Sequence, residues 1–394
     1  MTRRTSKVPA SDSASDPTPP HDPCWRKSDW RSRVRKRLLE WFAGNARVLP
    51  WRTLPLPYNV WVSEIMLQQT QVATVLPYFH RWMEAFPTVE ALASADEADL
   101  MRHWEGLGYY RRVRSMHAAA KKIMEDHGGV FPTRFEDVLA LPGIGRYTAG
   151  AILSISQDQR LPILEGNTQR VFSRWIAMRG APAEKHANAL LWDFAETMLP
   201  RDGGNGTFNQ AAMELGALVC TPKQPRCDEC PIAGSCRAAK LGLQQEIPGK
   251  IKSIRYEDRT EFALVVPSPG GDTFLVRPLP DGARWSGLWD YPRPTEDAYQ
   301  SVETVADWLS KELHLAPGCE IEVGARLKSI RHAVTKYRIT LHVHAAILKT
   351  SGEPAELPAP WQWQSLDQLT EQPLSVTGRK ITNWLAAQEQ PLLW

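Results

Sequence analysis

Hydrophobic residues in the first part of the chain recur at helical spacing. In WRSRVRKRLLEWFAGN (residues 30–45), Val34, Leu38 and Trp41 stand three to four residues apart, which is the period of an amphipathic α-helix. The same spacing continues to about residue 243. The pattern predicts a helical domain over residues 28–245.

The period changes to two in the C-terminal part of the chain. EFALVV (261–266) and TFLVRP (273–278) flank the turn sequence PSPGGD, and YRITLHVH (337–344) alternates between apolar and polar residues. Both patterns are typical of hairpin strands. SVETVADWLSKELHL (301–315) has the spacing of one amphipathic helix. We therefore predict a mainly α fold, with the helical domain followed by a smaller α+β domain over residues 259–394.

Composition adds a tail and a linker to this organisation. The N-terminal residues are rich in Ser, Pro and Asp, which predicts a disordered tail over residues 1–27. The stretch around QQEIPGKIKS predicts a linker over residues 246–258. No apolar run reaches the roughly 18 residues that span a bilayer, so we expect no membrane association and a cytoplasmic protein. The net charge of +3 permits nucleic-acid binding without requiring it.

Four of the six cysteines lie in one short segment. Their spacing is C-x6-C-x2-C-x5-C, and thiolates this close bind either zinc or an iron–sulfur cluster. Only the central pair has the tight spacing of a zinc knuckle, so the pattern favours a 4Fe–4S cluster and leaves zinc as the alternative. The four residues are Cys220, Cys227, Cys230 and Cys236.

Two stretches predict contacts with a phosphate backbone. LALPGIGRYTAGAIL (139–153) has the form of two helices joined by a tight turn. The glycines Gly143 and Gly145 allow that turn and leave backbone amides facing outward at a helix start, where an anion is favoured. YYRRVRSMHAAAKK (109–122) gathers five cations without an acid. An ordinary helix turn and a solvated helix face are the alternative interpretations.

The helix-hairpin-helix, the acid Glu165 downstream of it and the cysteine spacing together resemble the endonuclease III superfamily of DNA glycosylases. LPWR (49–52), VWVSEIMLQQTQV (60–72), EGLGYYRR (105–112) and FNQAAMELGALVC (208–220) are similar to the adenine-specific MutY family. The resemblance implies a monomeric bacterial enzyme, associated with the nucleoid. It would carry one 4Fe–4S cluster and remove adenine paired with 8-oxoguanine or guanine in double-stranded DNA.

Two carboxylates carry the expected chemistry. Glu64 shares an apolar helix face with Trp61, so burial should raise its pKa and keep it protonated near neutral pH. The family uses this glutamate as the general acid for adenine N7. Glu165, in LPILEGNTQR, is either a helix cap or the acid that stabilises the sugar cation. The family has aspartate at this position, so the charge is kept on a longer side chain, and Asn167 matches the residue that orients it.

Tyr147 stands where bifunctional relatives have a lysine that forms a Schiff base. The resemblance therefore implies a monofunctional glycosylase without strand cleavage. It also implies a set of residues that contact the flipped adenine and the DNA duplex. Trp51 and Arg52 line the base pocket, and Gln69 and Tyr109 insert into the duplex where the adenine has left. The remaining members of this set are Thr70, Leu107, Gly143, Gly145 and Gln210.

The C-terminal domain resembles the Nudix-like lesion-recognition domain of the same family, most clearly in ARWSGLWDYPR (283–293). The acidic metal box of Nudix hydrolases is absent from the predicted helix, so we expect no pyrophosphatase activity. Thr335 and Lys336 occupy the turn that contacts 8-oxoguanine in the family, although the family sequence differs there. The rival interpretations are a thymine or uracil mismatch glycosylase and a weakly active lesion-binding protein.

Overall fold

The computed structural model describes residues 20–249, 256–294, 301–349 and 356–388. None of the helices in these ranges is long and apolar enough to cross a membrane. The described helices are α1 (Ser28–Asn45), α2 (Pro50–Thr53), α3 (Pro57–Leu67), α4 (Val72–Ala85), α5 (Val89–Ser94), α6 (Glu97–Trp104), α7 (Arg111–His127), α8 (Phe135–Leu139), α9 (Arg146–Gln157), α10 (Gly166–Trp175), α11 (Lys185–Met198), α12 (Asn205–Leu218), α13 (Arg237–Lys240), α14 (Val302–Glu312), α15 (Leu366–Glu371) and α16 (Val376–Ala386). The described strands are β1 (Glu257–Val265), β2 (Thr273–Pro278), β3 (Trp289–Asp290), β4 (Glu320–Val334), β5 (Tyr337–Lys349) and β6 (Gln362–Ser365).

The chain divides into two compact units, each built from two separate segments. The first unit comprises Met1–Ile65 and Phe131–Ser253, and the second comprises Met66–Val130 and Ile254–Trp394. The chain passes from the first unit to the second between Ser253 and Ile254, inside the segment predicted as a linker. The helical domain predicted over residues 28–245 is thus divided, because its helices α4 to α7 group with the C-terminal residues.

Aromatic side chains form the centre of the first unit. The ring of Phe194, on α11, lies 5.2 Å from that of Phe172 and 6.3 Å from that of Trp175, both on α10. Trp25 also contacts Phe194 edge-on at 5.6 Å and is 1% exposed. Trp25 belongs to a 3-10 turn (Pro23–Arg26), so residues 20–27 are ordered and the predicted tail is wrong there. Residues 1–19 lie outside the described residues.

The helix-hairpin-helix of the first unit consists of α8, a short turn and α9. Gly143 adopts φ +77° in the turn, a conformation that side chains disfavour. α12 packs against α9 and α10. A Cβ on Gly216 of α12 would lie 2.7 Å from Asn167 Cβ, so this glycine allows α12 to approach the start of α10.

The second unit contains two three-stranded sheets, with the orders β1-β5-β4 and β3-β2-β6. β1 pairs with β5 in parallel, from Glu257 opposite Tyr337 to Val265 opposite Ala345. The hairpin predicted between β1 and β2 forms only at its turn end. There Pro267 bridges Phe274, and the amides of Leu275 and Ser268 donate to the carbonyls of Val266 (2.9 Å) and Thr273 (2.8 Å). Beyond the turn the chain leaves one sheet and enters the other, so the long ladder of β1 is with β5 instead.

The amphipathic helix predicted in the C-terminal domain is confirmed as α14. Val305 and Leu309 of this helix are fully buried and belong to one cluster with Leu264 and Leu275. Ser301 caps the helix and forms a capping box. The helical period thus located this element correctly.

An ion pair joins the helical and C-terminal segments within the second unit. The Arg379 guanidinium, on α16, donates to both carboxylate oxygens of Glu105 at 2.6 and 2.9 Å. Only 21% and 15% of the two side chains are exposed. Leu374 adds its backbone amide to the same carboxylate at 3.3 Å. Glu105 begins the loop that leads to Tyr109.

Candidate active site

Glu64 lies on α3, inside the first unit. It is 5% exposed, and Trp61 one turn earlier is fully buried. The Tyr147 hydroxyl donates a hydrogen bond to Glu64 Oε2 at 2.5 Å. Burial raises the pKa of Glu64 to about 7, with Tyr147 and Arg52 acting against it and the charge of Glu165 adding to it. The desolvation predicted from the apolar face is present, so Glu64 can give and take a proton near neutral pH.

Tyr147 is the second residue of α9, so the hairpin turn sets where its phenol lies. Its hydroxyl also approaches Met213 Sδ at 3.5 Å. Burial, followed by the charges of Glu64 and Glu165, raises the pKa of Tyr147 well above its ordinary value. The phenol therefore remains neutral and acts as a hydrogen-bond donor.

Glu165 is the N-cap residue of α10. Its carboxylate accepts hydrogen bonds from the backbone amides of Asn167 at 2.8 Å and Thr168 at 2.9 Å. The Thr168 hydroxyl accepts in return from the Glu165 amide at 2.8 Å. Burial is the largest influence on the pKa of Glu165 and raises it, whereas these amides oppose the rise. The capping bonds fix the carboxylate in a half-buried site, and its charge raises the pKa of Glu64. A helix cap and an acid that stabilises the sugar cation are therefore compatible interpretations of Glu165.

Asn167 connects Glu165 to the cysteine segment. Arg170 donates from Nη2 to Asn167 Oδ1 at 2.8 Å and from Nε to the Cys220 carbonyl at 2.8 Å. The side chain of Asn167 also lowers the pKa of Glu165 through a hydrogen bond. The orienting role of Asn167 stays a prediction.

The short helix α2 supplies Trp51 and Arg52. Trp51 is 6% exposed, and Arg52 Nη2 donates to Glu214 Oε2 at 3.0 Å. Glu214 lies on α12, one turn after the half-buried Gln210. Sequence reasoning missed Glu214, although a single acid inside the apolar run AAMELGALV is a signal that could have found it.

The hairpin turn presents backbone amides at the start of α9. Gly145 is the N-cap residue, and no side chain caps this end. A Cβ added at Gly145 would meet no heavy atom within 4 Å. Together with Gly143, this open helix start has the geometry that favours a phosphate, and the contact itself stays a prediction.

Gln69 and Tyr109 stand on two turns of the second unit with left-handed backbones. Their φ angles are 57° and 50°, and both side chains are exposed, Tyr109 to 58%. Non-glycine residues in this region are strained, and such strain concentrates at functional sites. Thr70 is half-buried beside Gln69, and Leu107 is buried at 6% exposure.

One arginine holds both turns. The Arg112 guanidinium lies 5.5 Å from the centre of the Tyr109 ring, and burial lowers its pKa to about 10. The phosphate-binding role predicted for this stretch is wrong for Arg112, because its donors are engaged inside the protein. They reach the carbonyl oxygens of Met66 (3.0 Å), Gln68 (2.7 Å), Leu107 (3.1 Å) and Gly108 (3.1 Å).

Thr335 and Lys336 form the two-residue turn between β4 and β5. Thr335 is exposed and has φ 52°, which is a strained conformation for a β-branched residue. Lys336 Nζ donates to Glu257 Oε1 at 2.6 Å. The turn is thus displayed at the end of the hairpin, and its contact with a lesion stays a prediction.

The four clustered cysteines lie in the first unit, and none of them forms a disulfide. Burial raises the pKa of Cys230 to about 12 and that of Cys236 to about 11, and in each case the neighbouring thiols add to the rise. Such thiols ionise readily only against a strongly positive group. Arg174 Nη1 donates to Cys220 Sγ at 3.3 Å, a contact typical of cluster ligands. In the described ranges, no three His, Cys, Asp or Glu side chains converge closely enough to enclose a single metal ion.

Three family models match the chain in the order of its elements. The HhH-GPD superfamily base excision DNA repair protein model matches residues 62–197. The iron-sulfur binding domain of endonuclease III matches residues 220–236, and the NUDIX domain matches residues 262–384. The helical part, the cysteine segment and the C-terminal part therefore each have a known counterpart.

Relatives named adenine DNA glycosylase match most of the chain. The protein of Buchnera aphidicola subsp. Schizaphis graminum is 35% identical over 317 residues, which cover 80% of this chain and 87% of that protein. The Mus musculus protein is 33% identical, with 88% of this chain and 76% of that protein covered. The Homo sapiens protein is 31% identical, with coverages of 88% and 73%.

The fold and the matching family model place the protein among the helix-hairpin-helix DNA glycosylases of base excision repair. Its four clustered cysteines hold one 4Fe–4S cluster, which confirms the cofactor prediction. Over most of its length the chain matches one group within that class, and it belongs to the adenine DNA glycosylase family.

Proposed function

We propose that the protein acts as a monomer on adenine paired with 8-oxoguanine or guanine, hydrolyses its N-glycosidic bond and leaves the abasic strand uncut. The observation that carries this proposal is the 2.5 Å hydrogen bond between Tyr147 and the buried Glu64, whose charge interacts with that of Glu165. Adenine is the base in the names of the relatives.

The two carboxylates divide the chemistry. Glu64, with a pKa of about 7, protonates adenine N7 so that the base leaves neutral, and afterwards accepts a proton from the attacking water. The carboxylate of Glu165, whose ionised form the two backbone amides at the start of α10 favour against burial, stabilises the positive sugar in the transition state. The capping bonds pre-organise its carboxylate, which compensates for the extra methylene relative to the family aspartate.

Tyr147 supports hydrolysis without strand cleavage. A lyase needs an amine that attacks the sugar carbon and forms a Schiff base. The phenol at this position is neutral and bonded to Glu64, so it offers no such nucleophile. Water instead attacks the sugar carbon and completes the hydrolysis.

The DNA-facing residues follow the same proposal. The amides of Gly143 and Gly145 bind a phosphate, and Trp51, Arg52 and Gln210 surround the extruded adenine. Extrusion leaves a gap in the duplex, which the strained and exposed Gln69 and Tyr109 fill, next to Thr70 and Leu107. Thr335 and Lys336 contact the opposite 8-oxoguanine.

Single-turnover excision tests the proposal on duplexes containing A:8-oxoG, A:G, T:G and U:G. We expect base release from the first two, and strand breaks only after alkali. The Glu64→Gln variant is the control, because it should bind the A:8-oxoG duplex without releasing adenine. Release of thymine or uracil would instead establish the mismatch-glycosylase rival, and tight binding without release by the unmodified protein would establish the lesion-binding rival. Light scattering with and without duplex tests the monomer.

A further inference from the structure

Thr168 is a fully buried residue in the first turn of α10 that the proposed chemistry does not use. Its hydroxyl accepts a hydrogen bond from the backbone amide of Glu165 at 2.8 Å and donates one to the Glu165 carbonyl at 3.1 Å. One side chain therefore binds both main-chain polar groups of the residue that carries the second carboxylate. Because β-branching restricts the rotamer of a threonine, the hydroxyl holds this position.

The same turn also holds the carboxylate of Glu165. The amide of Thr168 donates to Oε1 at 2.9 Å, and the amide of Asn167 donates to Oε2 at 2.8 Å. Each carboxylate oxygen thus has a donor of its own. Of the four bonds that fix Glu165 in this turn, Thr168 contributes three.

The chain on the other side of Glu165 is fixed by two neighbouring helices. Asn209, on α12, donates from Nδ2 to the Leu161 carbonyl at 2.9 Å. On α9, a Cβ added to Gly150 would lie 2.7 Å from the Pro162 carbonyl oxygen, so the two backbones are in close contact. The segment that leads to Glu165 therefore has a set path, and the threonine hydroxyl extends this constraint to residue 165 itself.

Several rotatable bonds separate a glutamate carboxylate from its own main chain, so its place depends on what holds both ends of the side chain. We propose that Thr168 is a positioning residue for adenine excision, which fixes Glu165 at both ends and keeps its carboxylate directed at the sugar. The inference rests on the proposed function of Glu165 as the group that stabilises the sugar cation. It assigns to Thr168 no contact with DNA, because the hydroxyl is buried and bonded to Glu165.

Thr168→Val tests this inference in the full-length protein, because it removes the hydroxyl and keeps the shape of the side chain. Single-turnover excision at saturating enzyme should fall by about 10- to 100-fold, whereas the Kd for an A:8-oxoG duplex should stay unchanged. Thr168→Ser keeps the hydroxyl and should restore most of the rate. Thr304→Val is the matched control, since Thr304 has the same position in the capping box of α14 and donates to the Ser301 carbonyl at 2.7 Å. It should leave the rate unchanged.

A double variant shows whether Thr168 acts through the charge of Glu165. That charge is absent in Glu165→Gln, so adding Thr168→Val should lower the rate little further. Losses that multiply, no rescue by Thr168→Ser, or a normal rate in Thr168→Val would overturn the inference and leave Thr168 as part of the helix cap alone. Where Thr168→Val does not fold, as judged by melting and visible absorption, Thr168→Ala replaces it in each comparison.

Site-resolved hydrogen exchange separates this inference from the proposed function, because it needs no DNA. The Asn167 amide lies in the first turn, where no helical carbonyl accepts from it, so its protection reports the place of the Glu165 carboxylate. Glu165→Ala gives the exchange rate of the released amide, and Thr168→Val should move the rate toward that value. If the wild type released no adenine, or Glu165→Gln released it normally, the proposed function would fail. An Asn167 amide equally protected in Thr168→Val and wild type would instead overturn the positioning role.

Discussion

Tyr147 donates its phenolic hydrogen to Glu64 Oε2 across 2.5 Å, so the residue at the position proposed to lack the lyase lysine is bonded to the proposed general acid. A donor to a carboxylate favours the ionised form, and this bond lowers the pKa of Glu64 against the larger effect of burial. The pair therefore sets the pH range in which the acid is protonated.

Tyr147→Phe removes that donor, so the pKa of Glu64 should rise above about 7. The fall of the excision rate with increasing pH should then begin at higher pH, by about half a unit to one unit. Single-turnover rates between about pH 5 and 9 measure the shift. Tyr291→Phe is the control, because this buried tyrosine bonds to Thr382 at 3.0 Å in the C-terminal part. A shift toward lower pH in Tyr147→Phe would contradict the interpretation.

Glu165→Gln should separate catalysis from capping. The single amide oxygen can accept from only one of the two backbone amides that the carboxylate holds, so the free energy of unfolding should fall by about 1–2 kcal/mol. Excision should fall by a factor on the order of 10²–10³, because a charge aimed at the transition state is lost. Glu165→Asp should change the rate only modestly. Near-normal excision in Glu165→Gln, with none in Glu64→Gln, would leave Glu165 as a cap alone.

The purified protein should be yellow-brown, with visible absorption and about four irons per chain. Cys24→Ser and Cys319→Ser should keep all of the iron, because neither residue belongs to the cluster-binding set. Cys230→Ser should lose most of it. Iron analysis and the visible spectrum measure these outcomes, and a colourless folded protein with one zinc ion would contradict them.

Arg112→Met should leave four backbone carbonyls without their donor. We expect the free energy of unfolding to fall by about 2–3 kcal/mol, and binding of an A:8-oxoG duplex to weaken, because both strained turns lose their common support. Denaturant unfolding and duplex titration measure the two effects. Arg111→Met is the control for the unfolding measurement alone, since Arg111 is exposed beside it and belongs to the stretch predicted to contact phosphate. Equal losses of stability from both substitutions would refute the special position of Arg112.

The turn at Thr335 and Lys336 should govern the choice between 8-oxoguanine and guanine. Thr335→Gly relieves the left-handed strain, worth about 1 kcal/mol, so combining it with Lys336→Ala removes both polar groups without weakening the hairpin. The ratio of excision rates for A:8-oxoG over A:G should shrink. Lys349→Ala is the matched control, because it removes a lysine paired with an acid, Glu322, at the far end of the same hairpin. An unchanged ratio in the double variant would place discrimination elsewhere.

Features set by neighbouring residues could be predicted from the sequence. The burial of Glu64 followed from the apolar face that it shares with Trp61, and α14 followed from its helical period. The cap at Glu165 followed from the Gly and Asn after it. Each of these depends on residues within about one helical turn, where the spacing of side chains is fixed.

Long-range partners could not be predicted in this way. Arg47 and Glu214 are 167 positions apart, and a cationic stretch does not show that the Arg112 guanidinium turns inward to four carbonyls. The pairing of β1 with β5 was missed for the same reason, since a turn sequence between two strands predicts a hairpin from local information alone. The order at Trp25 depends on Phe194, far along the chain.

The ion pair between Arg379 and Glu105 limits which C-terminal segments can be joined to the helical part. The native segment cannot simply be replaced, because its arginine binds the carboxylate at the start of the loop that carries Tyr109. A chimera that imports another C-terminal segment must import a partner for Glu105 as well. A version cut after residue 253 would leave this mostly buried carboxylate facing water, and would weaken the support of the loop that displays Tyr109.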